Sequence, residues 1–295
     1  MSDRKYRPFS LLRVVALAGN TFTGLVRLKA FYFLLLFALL LIGSSAFLAQ
    51  ISFQEEFQVL KDISLGAMSI FTSLLAIAAT AQLLPRDLEE RTIYTILARP
   101  VPRYEYLAGK LGGVLLLLAV SLLAMAAAFF ALLFVREKIL LAGMLGHSAG
   151  LRAAELQAAV RSLHASAFNA DLLPGIAIIY VKAALLASLT LFVSTFATSN
   201  LFTVFVMVFV YFIGHLQSTA RDYWLAQDGS GWIAKSFLAL VALVFPDLQR
   251  FDLLDNVVAG RVIPGSLFAQ TVLLGCIYTS IYFFFAWVAF QGKEL

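Results

Sequence analysis

Long apolar runs separated by short polar stretches dominate this chain. A helix rises about 1.5 Å per residue, so about 20 mostly apolar residues cross a hydrocarbon layer about 30 Å thick. Five runs reach that length and a sixth is slightly shorter. They lie at residues 30–48, 63–84, 111–134, 173–198, 201–217 and 265–290. The pattern predicts an all-α integral membrane protein whose six transmembrane helices form a single domain, residues 1–295.

Three further apolar stretches are too short or too amphipathic to span. Residues 9–26 mix leucine and valine with polar side chains, which favours an interfacial helix in a cytoplasmic segment 1–29 over a plain basic leader. From Leu156, apolar residues recur at i, i+4, i+7 and i+11, which predicts an amphipathic outer helix. Residues 232–245 end before Pro246, and we interpret them as a re-entrant or interfacial helix between spans five and six.

The composition agrees with a membrane protein. Hydrophobic residues make up 61% of the chain and charged residues 13%, compared with about 25% charged residues in soluble domains. The single cysteine, Cys276, excludes an internal disulfide. A formal charge of +5 in such a protein reflects orientation more often than nucleic-acid binding, so no nucleic acid is expected as a partner.

Lysine and arginine are distributed unevenly around the first two spans. Six basic residues precede the first span and five lie in the loop at residues 85–110, whereas the stretch between them contributes only Lys61. Because basic residues accumulate on the cytoplasmic side, both termini are predicted to be cytoplasmic and the loops at residues 135–171 and 218–264 to lie outside. The first span is interpreted as a retained helix rather than a cleaved signal peptide.

The loop at residues 85–110 contains a predicted helix. Pro85 is well tolerated in a first turn, and three acids follow it at a position where they oppose the positive end of the helix dipole. Pro100 biases the residue before it away from helical geometry. We therefore expect a helix of about four turns at residues 85–98 and then an extended Pro-Val-Pro link. The three acids are Asp87, Glu89 and Glu90.

The two faces of this predicted helix indicate a protein partner. At 100° per residue, Asp87, Glu90 and Arg91 gather on one side and apolar side chains on the other. Acids are poorly placed on an anionic inner leaflet. A cytoplasmic protein partner is therefore favoured over a helix that only floats on lipid headgroups.

The same loop resembles that of ABC-2 type transporter permeases. Three runs carry the resemblance, at residues 89–93, 97–103 and 107–110. Residues 245–252 are also similar to the Pro-x-Leu-x-x-Phe segment of the branch that contains permeases for nitrous-oxide-reductase maturation and gliding motility. The resemblance covers nearly the whole chain, since the N-terminal interfacial helix fits it as well.

The resemblance implies the permease subunit of an ATP-driven exporter in the bacterial cytoplasmic membrane. Its expected partners are two cytoplasmic ATPase subunits, a second permease, identical or not, and membrane lipids. ATP and magnesium would bind the ATPases, so this chain is expected to be no enzyme and to hold no cofactor or metal. The short helix between spans two and three would be the coupling helix. The residues expected to contact the ATPase or fix the loop against it are Asp87, Glu89, Glu90, Arg91, Thr92, Arg99, Pro100 and Arg103.

The remaining candidate chemistry is limited. Residues 229–236 miss a phosphate-binding loop by one position, Ala234, and the predicted topology places them outside. The three histidines have no metal-site spacing. Lys182 lies about nine residues into the fourth span, so its ammonium either has a function at depth or snorkels to the outer headgroups. Alternative functions are a secondary transporter or channel, and the membrane anchor of an ATPase-driven assembly or motility machine.

Overall fold

A computed structural model describes residues 9–50, 56–89, 102–146, 153–197, 199–226 and 245–292. Within these ranges the chain is helical and contains no β-strand. The helices are α1 Leu11–Val26, α2 Lys29–Ala49, α3 Glu56–Ala81, α4 Leu83–Glu89, α5 Arg103–Gly146, α6 Ala153–Ala167, α7 Leu172–Ser194, α8 Asn200–Ala226, α9 Leu254–Val258 and α10 Gly265–Gln291, with a 3₁₀ helix at Leu248–Phe251.

Six helices in the described part of the chain are long and apolar enough to cross a membrane, which confirms the predicted number of candidate spans. They are centred on α2, α3, α5, α7, α8 and α10. Three of them extend well beyond the predicted spans. The helix α8 continues to Ala226, so the beginning of the predicted outer loop at residues 218–264 is helical. The helix α3 begins at Glu56, so Lys61 is helical rather than in a loop. The helix α5 continues to Gly146, so the first part of the predicted outer loop is also helical.

The beginning of α5 also differs from the prediction. The predicted loop extended to residue 110, but α5 starts at Arg103. The carbonyl oxygen of Pro102 accepts hydrogen bonds from the backbone N–H groups of Glu105 and Tyr106, which forms the first turn. Proline is compatible with this position because the first N–H groups of a helix lack intrahelical partners. Residues 103–110 therefore have a fixed geometry at the base of a span.

The helices α3 and α7 form the centre of the bundle. In each, 67% of the most apolar window is buried, against 17% for α10. The helix α7 packs against α3, α5, α8 and α10. The exposed apolar faces of α2, α8 and α10 therefore surround a core built on α3 and α7.

The N-terminal helix α1 lies against the first turns of α5. A Cβ atom added at Gly109 would lie 2.5 Å from the Leu17 Cβ, and one added at Gly113 would lie 2.6 Å from the Thr21 Cβ. These two glycines are four residues apart, the spacing that lets two helix backbones approach closely. A helix was predicted within residues 9–26, and the structure has one there. Its position at the membrane surface stays a prediction.

The helix α4 corresponds to the start of the predicted coupling helix. It begins at Leu83 rather than at Pro85, which lies within the first turn, where its missing N–H costs no hydrogen bond. The rest of that prediction, residues 90–98, lies outside the described residues, and so do residues 232–244 of the predicted re-entrant helix. The predicted outer amphipathic helix corresponds to α6, where Ala167 is fully buried.

Residues 246–258 pack through glycines against α7, α8 and α10. At Gly175 of α7, an added Cβ would lie 3.1 Å from the Val257 Cγ2. A Cβ atom added to Gly214 of α8 would lie 2.7 Å from the Cγ atom of Leu248. A Cβ atom added to Gly275 of α10 would lie 3.1 Å from the Cε1 atom of Phe251. Leu248 and Phe251 are fully buried. These are the apolar residues of the Pro-x-Leu-x-x-Phe segment. Gly214 provides the space that Leu248 occupies, while Gly275 accommodates Val181 of α7 as well as Phe251.

Candidate coupling site and intramembrane cluster

A buried ion pair joins α4 to α5. The ammonium nitrogen of Lys110 lies 2.5 Å from the Oδ2 atom of Asp87, and the Tyr106 hydroxyl donates a short hydrogen bond to the same oxygen. Tyr106 is fully buried, and the Lys110 ammonium lies 5.6 Å from the centre of its ring. Tyr106 and Lys110 are four residues apart and therefore lie on one face of α5, where both contact the Asp87 carboxylate of α4.

The base of α5 also holds the end of α10. Nη1 of Arg103 donates hydrogen bonds to the carbonyl oxygens of Phe290, at 3.0 Å, and Gln291, at 2.6 Å. Carbonyl groups in the last turn of a helix lack intrahelical partners and carry partial negative charge, which a guanidinium offsets. The ring of Phe290 stacks on Tyr106 with 5.9 Å between ring centres. The third and sixth spans are therefore connected at this end.

A third connection reaches α1. Oε1 of Glu105 accepts a hydrogen bond from the backbone N–H of Ser10 at 3.0 Å, just before α1 begins. Oε2 of the same carboxylate lies 3.3 Å from Nη1 of Arg13, an ion pair rather than an aligned hydrogen bond. Glu105 is fully buried. One carboxylate thus fixes both the start of α1 and its first turn.

The residues predicted to couple with an ATPase are only partly described. The carboxylate of Asp87 is directed into the chain, toward Lys110 and Tyr106, and Arg103 contacts α10. The backbone of Glu89 ends α4, while nothing is described of its side chain. The other predicted residues, Glu90, Arg91, Thr92, Arg99 and Pro100, lie outside the described residues. Contact of these residues with an ATPase stays a prediction.

Sequence reasoning missed the residues that hold this site together, Glu105, Tyr106 and Lys110. All three lie on one helical segment, but their partners are distant in sequence, such as Ser10, 95 positions away from Glu105. One signal was available. The spacing Gly109-x-x-x-Gly113 is typical of close helix packing in membranes and indicates where α1 lies.

A second polar cluster lies between α3, α7 and α8. The Lys182 ammonium donates to Ser69 Oγ at 3.2 Å and lies 3.1 Å from His215 Nε2. It also lies 5.8 Å from the centre of the Tyr211 ring. Only 2% of Lys182 is exposed, and no carboxylate of the described residues lies within 4 Å of its ammonium. The side chain is directed between helices, which favours a role at depth over snorkelling.

The hydrogen bonds of His215 define its protonation pattern. Its Nδ1 lies 2.9 Å from the backbone carbonyl oxygen of Tyr211, which can only accept a hydrogen bond. Nδ1 therefore carries the proton, and a neutral ring then leaves Nε2 free to accept from Lys182. Lys182 lies about ten residues after the start of α7, which is about 15 Å along the helix axis. This distance is close to half the thickness of a hydrocarbon layer.

The described histidines are used for local contacts. Nδ1 of His164 on α6 lies 2.6 Å from Glu137 Oε1 on α5, and His215 contacts Lys182. His147 lies outside the described residues. Within the described ranges, no group of three or more histidine, cysteine or acidic side chains is arranged to hold a metal ion.

A comparison with protein-family models finds a match over most of the chain. Residues 16–220 match the family model described as ABC-2 family transporter protein. A comparison with curated proteins finds no match. The matched stretch covers more than half of the chain and contains both the α4–α5 ion pair and the Lys182 cluster.

Proposed function

Because the chain belongs to the ABC-2 transporter family, we propose that it is the permease subunit of an ATP-driven exporter, coupled through α4 and the loop after it to separate ATPase subunits. Those subunits would bind ATP and magnesium. This chain would convert their movement into a rearrangement of its spans, with no catalytic chemistry of its own.

The observation that carries the proposal is the connection between α4 and the spans. Asp87 joins α4 to Lys110 and Tyr106, Tyr106 stacks on Phe290, and the neighbouring Arg103 holds the end of α10. A displacement of α4 would therefore reach the bases of the third and sixth spans directly. A rigid element that contacts both the moving subunit and the spans is what mechanical coupling requires.

The partner surface in this proposal lies beyond the end of α4. Glu89, Glu90, Arg91 and Thr92 would contact a groove of the ATPase, as the family resemblance implies. The loop would be held against the ATPase by Arg99, Pro100 and Arg103. Asp87 has a different role in this scheme, since its carboxylate transmits movement inward instead of contacting the partner.

The assembly we propose contains two permeases and two ATPases in a bacterial cytoplasmic membrane, with both termini of this chain on the ATPase side. The apolar faces of α2, α8 and α10 supply surface for the second permease and for lipid. Phenylalanines on α8 are prominent on these faces, for example Phe205 and Phe209, which are 69% and 61% exposed.

The test is a pair of charge reversals assayed in the purified complex. Glu90→Lys with Arg91→Glu is expected to leave membrane insertion intact and to reduce ATPase co-purification or transport-coupled ATP hydrolysis. The matched control, Glu155→Lys with Arg161→Glu on α6, changes the same charges at the opposite end of the bundle and should have no such effect. Normal coupled hydrolysis in the first variant would count against the proposal.

A further inference from the structure

A cavity of about 590 Å³ lies at the end of the bundle opposite α4. Its walls come from the start of α3, the end of α5, the helix α6 and the link at residues 258–260. In the proposed topology this end faces the outside of the cell. Neither the coupling proposal nor the Lys182 cluster involves this cavity.

Lys61 is a buried cation in the wall of this cavity. Only 3% of Lys61 is exposed, and its Nζ atom donates a hydrogen bond to the backbone carbonyl oxygen of Ser166 at 2.6 Å. An ammonium group has three N–H donors, so two are left for another partner. No carboxylate of the described residues lies within 4 Å of it. A buried charge without a counter-ion is costly, which makes an anion the partner that fits.

Two acids at this end of the bundle, Glu56 and Glu137, are already paired with a cation or a histidine. Oε2 of Glu56, in the cavity wall, lies 3.1 Å from Nη2 of Arg136. Oε1 of Glu137 lies 2.6 Å from Nδ1 of His164. The charge of Glu56 is thus offset by Arg136, whereas Lys61 has no carboxylate partner among the described residues. The other polar groups of the wall include the amide of Gln58 and that of Asn169. The Nδ2 atom of Asn169 donates one hydrogen bond to the Val257 carbonyl oxygen at 3.3 Å and has a second N–H for an anion.

We propose that this cavity binds an oxyanion of phosphate or carboxylate type, with the Lys61 ammonium as its anchor. Such a group makes charge-assisted hydrogen bonds to an ammonium, about twice as strong as neutral ones. The oxyanion belongs either to a soluble molecule or to the headgroup of an acidic lipid, since the cavity lies at the outer end of membrane-crossing helices. The site is independent of the coupling proposal.

The test compares binding to the purified full-length protein, with any subunits that co-purify. Soluble probes are inorganic phosphate and succinate, measured by equilibrium dialysis in detergent. The lipid probe is phosphatidylglycerol in nanodiscs, compared with phosphatidylcholine by native mass spectrometry. At least one probe is expected to bind saturably to the wild type and about tenfold more weakly to Lys61→Gln, since a charge-assisted hydrogen bond of this kind is lost.

Two further variants make the result decisive. Lys61→Arg retains the charge and should retain binding, which separates loss of the ligand contact from loss of the fold. Lys138→Gln removes an exposed lysine from the same end of α5 and should bind as the wild type does. Absence of saturable binding by all three probes, or equal binding by wild type and Lys61→Gln, would overturn the proposal. This experiment measures ligand binding and not ATPase coupling. Failure of the coupling proposal would therefore leave the binding result unaffected.

Discussion

The Lys110 ammonium lies 2.5 Å from the Asp87 carboxylate, across the junction between α4 and α5. Both side chains are mostly buried, and the Tyr106 hydroxyl completes the group. The two charges therefore depend on each other, because removing one partner leaves the other buried without compensation.

Asp87→Asn is expected to destabilise the protein by about 3–5 kcal/mol, since Lys110 then carries a buried charge with no carboxylate beside it. Asp87→Asn combined with Lys110→Met removes both charges and should restore much of that loss. A denaturant titration in detergent of these two variants, of Lys110→Met alone and of the wild type completes a double-mutant cycle. If the unfolding free-energy changes of the two single substitutions add up to that of the double variant, the two residues are not coupled. The ion pair then does not hold α4 against α5.

The contact between α1 and α5 depends on Gly113 more than on its neighbour Gly112. An added Cβ at Gly113 would lie 2.6 Å from the Thr21 Cβ and 2.7 Å from the Ala18 carbonyl oxygen. At Gly112 it would lie 3.5 Å from the Ala18 Cβ, an ordinary contact. Gly113→Ala is expected to destabilise the α1–α5 packing by about 1–3 kcal/mol, the usual cost of overpacking.

The measurement for this contact is limited proteolysis within α1, followed by mass spectrometry of the fragments. Gly113→Ala should expose α1 to cleavage, whereas Gly112→Ala should match the wild type. Both substitutions place alanine in the same helix, so helix propensity is equal in the two variants. Equal cleavage of the two would show that the glycine spacing does not position α1.

The packing of residues 246–258 predicts a third effect. Gly214→Ala places a methyl group 2.7 Å from the Leu248 Cγ and 2.9 Å from the Pro246 carbonyl oxygen, so the segment must move away from α8. Hydrogen exchange at residues 248–258 is expected to accelerate by about tenfold or more, a loss of about 1.4 kcal/mol in local stability.

Gly66→Ala is the control for this substitution. Gly66 lies in α3 with nothing within 4 Å of an added Cβ, so the change should only add the helix propensity of alanine, about 1 kcal/mol. Exchange at residues 248–258 should then be unchanged. Unaltered exchange in Gly214→Ala as well would mean that Leu248 does not depend on the space at Gly214.

The hydrophobic pattern was sufficient to predict the spans because each span needs about 20 apolar residues, whichever neighbours it has. It was not sufficient for the site. Glu105 was an ordinary acid in a predicted loop, and only the docking of α1 gives it Ser10 and Arg13 as partners. Lys61 was interpreted as a topology marker, but α3 begins at Glu56 and carries it into the bundle wall. Contacts between distant segments are set by packing, which periodicity does not encode.

Lys182 provides the last prediction, because its position at depth fits a functional group as well as a structural one. Lys182→Met removes the buried charge but leaves Nε2 of His215 without its donor, so the variant should fold with a loss of about 1–3 kcal/mol in stability. If the ammonium couples α7 to α8 through His215, the same variant should reduce transport-coupled ATP hydrolysis in proteoliposomes by about tenfold. A tenfold change corresponds to about 1.4 kcal/mol, which lies within the range of about 0.5–2 kcal/mol for residues that couple distant sites.

The control is Lys138→Met, which removes an exposed lysine from α5 and should leave both stability and hydrolysis unchanged. Intact hydrolysis in Lys182→Met would show that the ammonium only fills space between helices. Reduced hydrolysis together with an unfolded protein would assign it a structural role. Reduced hydrolysis in a stable protein is the result that a functional ammonium requires, because the fold is then present and only the contact with Ser69 and His215 is missing.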